Sequence, residues 1–154
     1  MSAEARLKEL NITLPPAPKP AGVYKPVVIT GNILYVSGHG PLRNDGTLIT
    51  GRVGADMDLE AGKAAARQTG LALLASVKEK LGSLDRIGRV IKLLGMVNCT
   101  PDFQQQPAVI NGCSELFAEI FGSENGVGAR SAVGLVALPG NIAVEIEAIF
   151  ELTS

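Results

Sequence analysis

Between Asp58 and Gly82 the chain carries every local mark of a long helix, and that element restricts how everything around it can pack. Leu59, Ala66, Leu73, Val77 and Leu81 recur at helical spacing, Asp58 is placed to cap the N-terminus, and Gly82 stands just past the end. A helix with one apolar side needs a second layer to bury it. The flanking segments are β-like. Val27–Thr30 and Ile33–Ser37 are β-branched and aromatic runs separated by the turn signal Gly31-Asn32, so they read as a hairpin. Ile87–Val97 is apolar on both faces, which suits a central strand. Pro107 in a first turn, then Val109, Leu116, Phe117, Ile120 and Phe121 on one side with Gly122 as terminator, predict a second long helix. A closing hairpin over 128–150, turning around Leu138-Pro139-Gly140-Asn141, completes the order ββ, helix, β, helix, ββ. The expected architecture is α+β, with two helices packed on one face of a mostly antiparallel sheet.

Ahead of this domain, residues 2–10 have the composition of a short helix capped by Ser2, and it stops before Pro15-Pro16-Ala17-Pro18-Lys19-Pro20. The chain therefore divides into an N-terminal helix with a proline-rich arm over 1–20 and a single domain over 21–154. A hydrophobic share of 46% against 19% charged residues is that of a globular protein. With 14 Lys+Arg against 15 Asp+Glu there is no basic field to hold a phosphate backbone, so nucleic acid is not expected as a partner. Charges interrupt the first ten residues and no run of about 18 apolar residues occurs, so neither a secretory leader nor a membrane span is expected and the protein is read as cytoplasmic. Cys99 and Cys113 read as buried thiols, and with the single His39 they match no zinc-ligand spacing. Gly62-Lys63 and Gly126-Val127-Gly128 lack the context of a phosphate-binding loop.

The closing segment holds three charges in apolar company. Side chains alternate along a strand, so a hairpin turning at Pro139-Gly140 would put Ser131, Val133, Leu135 and Ala137 opposite Ala148, Ile146, Val144 and Ile142 on the core face. The other face would then carry Arg130, Ala132, Gly134 and Val136 with Ala143, Glu145, Glu147 and Ile149. In that register Arg130 and Glu145 share a face some 13 Å apart along the strand. Two readings follow. The charges form a solvated cross-strand group, or the face is covered by a second copy of the sheet and the site lies between subunits.

These residues also carry a resemblance. Ala129-Arg130-Ser131-Ala132-Val133, Leu138-Pro139 and Val144-Glu145-Ile146-Glu147-Ala148 resemble the signature ending of the Rid family, also called YjgF-like, with older labels of endoribonuclease or translation inhibitor. Leu34-Tyr35-Val36-Ser37-Gly38, Asp102-Phe103 and Asn111 with Phe117 and Phe121 are similar to other family motifs, so the likeness runs from about Tyr24 to Phe150. It implies a chorismate-mutase-like fold, a homotrimer whose sheets form a central barrel with clefts between subunits, and hydrolysis of reactive enamines and imines to 2-keto acids and ammonia. By the same resemblance Arg130 would hold the substrate carboxylate and Glu145 would act on the attacking water. Tyr24 would close the cleft, Ser37 would line its wall and Asn111 would face it. No cofactor or metal is implied.

The chemistry fits these residue types. A guanidinium offers a carboxylate two parallel donors. An imine carbon is already electrophilic, so a positioned water and a proton acceptor suffice. Burial would raise the pKa of Glu145, and a nearby Arg130 would oppose the rise. The chain departs from the family pattern at Ala132, where well-studied deaminases have cysteine, in the Gly38-His39-Gly40-Pro41 loop, at Gln104–Pro107 and in its long arm. His39 reads equally as a loop residue or a substrate contact, and Glu147 receives no role. The alternative function is a non-catalytic binding protein or sensor of small carboxylates. The ribonuclease label is opposed by the acidic pI of about 5.8 and the 4% aromatic share.

Overall fold

A computed structural model describes residues 1–153. Helix α1 spans Ala3–Glu9, α2 Leu59–Leu81 and α3 Gln106–Asn125; the strands are β1 (Val27–Thr30), β2 (Ile33–His39), β3 (Ile87–Asn98), β4 (Ala129–Leu135) and β5 (Val144–Leu152). The local signals place the long elements as expected. Asp58 Oδ1 accepts from the Ala61 N–H at 2.8 Å, and Gly82 adopts φ 82° while its N–H closes the helix onto Lys78 O. Gly122, at φ 86° and ψ 160°, breaks α3 where a terminator was expected, and a last short turn follows it. The first hairpin turns through Gly31 and Asn32, with Thr30 paired to Ile33.

The two long helices lie against each other and against one face of the sheet. Gly112 permits the close crossing: a Cβ there would fall 2.0 Å from the Lys63 carbonyl oxygen of α2. Leu73, Leu74, Leu116, Phe117, Ile146 and Phe150 are all fully buried between these layers. Helix α1 adds a third helix to this layer. Ala3 and Leu7 are buried, Glu4 pairs with Lys78 at 2.8 Å, and Arg6 Nε donates to Glu119 O. Among the described residues no helix is long and apolar enough to cross a membrane.

The sheet order is β1-β2-β5-β3-β4, with β3–β4 parallel and the other pairings antiparallel. The sheet is thus mostly antiparallel and β3 is internal, as its two apolar faces predict. The closing hairpin does not form. The turn at Pro139–Asn141 exists, but β5 enters the slot between β2 and β3, and β4 pairs with β3 at the sheet edge. The connecting segment is held in passing: Asn98 Nδ2 donates to Asn141 Oδ1 and Ile142 O, and the Ala143 N–H donates to Ile49 O.

That rearrangement inverts the faces assigned to β4. Val144, Ile146 and Ala148 face the helices as expected. In β4, however, Arg130 and Ala132 face the helices, in register with Leu93 and Gly95, while Val133 is 42% exposed on the open face. Alternation along a strand is local, but which alternate set faces inward is set by the neighbour it pairs with.

Candidate functional site

The residues singled out in the sequence gather into two groups. The first surrounds a cleft of about 630 Å³ where the arm crosses the ends of β2 and β5, and Tyr24, Ser37, His39 and Glu145 all line it. Glu145 leans over Gly38 so closely that a Cβ at Gly38 would fall 2.2 Å from its Oε2. Only glycine leaves that carboxylate its place. The carboxyl pKa is raised, first by burial and then by the neighbouring Glu147 charge. Within the chain Arg130 is not among the charges that act on it.

The other groups in the cleft are tied to protein partners. Ser37 Oγ donates to Lys25 O at 2.6 Å. His39 is buried, with Nδ1 2.6 Å from Ser37 O and Nε2 2.7 Å from Ser76 Oγ. A carbonyl can only accept, so Nδ1 carries the proton and Nε2 accepts from Ser76. Burial lowers the His39 pKa, opposed by the Ser37 hydrogen bond, so the ring is held neutral. His39 therefore ties β2 to α2. Tyr24 Oη accepts from the Ala21 N–H at 3.3 Å, and the ring is 48% exposed.

The second group sits on the other side of the sheet, at the β4 edge. Arg130 Nη1 donates to Asn111 Oδ1 at 2.7 Å and to Ser114 Oγ at 3.1 Å, both from α3. Two contacts through one nitrogen orient the guanidinium while leaving its other donors for a ligand. Ser114 was missed in the sequence, although its i, i+3 spacing from Asn111 places both on one helix face. Cys113, between them in sequence, is buried and its thiol is pushed up by desolvation.

Arg130 and Glu145 do not meet. Leu93 pairs with Arg130 and Met96 with Glu145, so they stand two strands and three residue steps apart, about 14 Å on strand geometry, and on opposite faces. Their expected common face is corrected by the β4 pairing. Glu147 lies on the open face in the row of Leu94 and Ser131, where Lys92 Nζ donates to Ser131 Oγ at 3.3 Å. Among the described residues no three His, Cys, Asp or Glu side chains come together as a metal ion would require.

Three helices on a mixed five-stranded sheet in this order define an α+β fold of the chorismate-mutase-like class. The chain belongs to the YjgF/chorismate-mutase-like family, whose description carries an endoribonuclease label and whose model matches residues 4–147. Protein TCP17 of Trypanosoma cruzi is 43% identical over 150 residues, covering 97% of this chain and 94% of that one. A 2-iminobutanoate/2-iminopropanoate deaminase of Dermatophagoides farinae is 30% identical over 139 residues, covering 90% and 92%. The crystal structure of the protein Atu1372 of Agrobacterium tumefaciens, of unknown function, matches with a TM-score of 0.89 and 46% identity, covering 98% and 92%.

Proposed function

We propose that the protein hydrolyses 2-imino acids and their enamine tautomers to 2-keto acids and ammonia, at a site assembled from two copies of the chain. One copy supplies Arg130, set by Asn111 and Ser114, and its neighbour supplies Glu145, Tyr24 and Ser37. The observation that carries this reading is the division itself: an oriented guanidinium with donors to spare at one end, and a desolvated carboxylate in a cleft at the other. The deaminase relative supports the same chemistry.

In this reading Arg130 binds the substrate carboxylate. Glu145 takes a proton from a water as its oxygen adds to the imine carbon, and the C=N electron pair moves to nitrogen, which is protonated. The resulting carbinolamine loses ammonia, forming the C=O bond of the keto acid. A carboxyl whose pKa burial raises is a stronger base for accepting and then returning that proton.

The test is ammonia and keto-acid release from imines generated in situ by an amino-acid oxidase. Arg130→Ala should lower kcat/KM about 10- to 100-fold, the loss of charged hydrogen bonds. Glu145→Gln should lower kcat about 100-fold or more, the scale of general-base catalysis. No acceleration over buffer by the unaltered protein, across several side chains, would sink the reading. A carboxylate binder without catalysis, suggested by Ala132, would instead keep ligand-induced thermal stabilisation in Glu145→Gln and lose it in Arg130→Ala.

A further inference from the structure

We propose that the cleft beside Glu145 is a side-chain pocket that selects 2-imino acids bearing a bulky apolar substituent, branched aliphatic or aromatic, over alanine-derived 2-iminopropanoate. The proposal rests on the hydrolase reading and names the substrate class of that same site.

Two glycines organise the cleft. Glu145 Oε2 occupies the space over Gly38, whereas a Cβ at Gly40 would fall 3.0 Å from Ile142 Cδ1 and 3.6 Å from Leu48 Cδ2. The carboxylate and an apolar pair therefore line the same cleft. An imine carbon within reach of a water on Glu145 has Leu48 and Ile142 available in the same cleft to receive its substituent. The arm forms the facing wall with Pro18, Pro20 and the Tyr24 ring.

The polar groups between these walls have little to offer a polar substituent. Both His39 nitrogens are engaged by Ser37 and Ser76, and the Ser37 hydroxyl is committed to Lys25 O. Lys19 is exposed at the rim. A polar substituent entering here would exchange its water for few partners, chiefly the Tyr24 hydroxyl, whereas an apolar one gains by leaving water. In the single chain the cleft holds about 630 Å³, far more than a methyl group fills, so room for a larger substituent remains beside a second copy.

The experiment compares imines generated from leucine, phenylalanine and alanine, alongside thermal shifts with 4-methyl-2-oxopentanoate, phenylpyruvate and pyruvate. The expected result is a kcat/KM about tenfold or more higher for the bulky imines, the scale on which apolar pockets discriminate, and larger shifts with the bulky keto acids. Leu48 is 44% exposed, so Leu48→Asn should fold and should cut the bulky-to-small ratio. Gly40→Ala, which crowds Ile142, should cut it by a second route. Equal or better use of the alanine-derived imine, or a ratio unmoved by both variants, overturns the proposal. If no imine is accelerated yet the bulky keto acids still stabilise most, the pocket stands and the hydrolase reading falls.

Discussion

Glu145 and His39 line one cleft, and burial acts on them in opposite senses. The Glu145 carboxyl is raised above the ordinary 4.5, so the native state holds its proton more tightly than the unfolded chain. Its stabilising contribution is complete at low pH and is lost as the pH rises through the raised value. Glu145→Gln, which mimics the neutral form, should therefore raise Tm at about pH 8, and the gain should vanish below about pH 4. His39 runs the other way. Its pKa is lowered from 6.5, so the unfolded chain takes up the proton first, and stability present above that pH is lost as the pH falls towards the native value. Thermal melts from pH 7 to 5 should decline less steeply in His39→Asn than in the unaltered protein. A parallel decline would show that His39 is not the neutral group its partners imply.

The helices were legible because their signals are local: Asp58 and Gly82 bound α2, and Gly122 breaks α3, as the sequence predicts. Their contact is equally sensitive to single atoms. Gly112→Ala would set a methyl against the Lys63 carbonyl, and melts should show a loss of about 1–3 kcal/mol or more, as overpacking does. Asp58→Ala, which removes only a cap, should lose about 1 kcal/mol. The strands were less legible. Their existence and most of their bounds follow from β-branched runs, but nothing in Ala129–Leu135 or Val144–Leu152 announces that β2 and β3 will flank β5. A turn between two adjacent strands looks the same whether the strands pair or part.

At the scale of the whole molecule, a composite site makes a prediction that no single-chain site shares. Arg130→Ala and Glu145→Gln, each impaired alone, should recover activity when co-expressed. Random pairing in a closed ring would restore about a quarter of the sites. No recovery in verified mixed oligomers would place both residues' roles in one chain, against their separation across the sheet.

The amino-acid sequence by itself determined the elements, their caps, the helix-facing side of β5 and the residue types with chemistry to offer. Those properties depend on neighbours a few positions away. Only the tertiary structure decided that β4 pairs in parallel with β3, that Arg130 consequently turns to Asn111 and Ser114, and that Glu145 settles over Gly38 on the opposite face. The physical reason is the two-residue period of a strand. It fixes that successive side chains point oppositely but leaves open which set turns inward, and only the hydrogen-bonded neighbour resolves the choice.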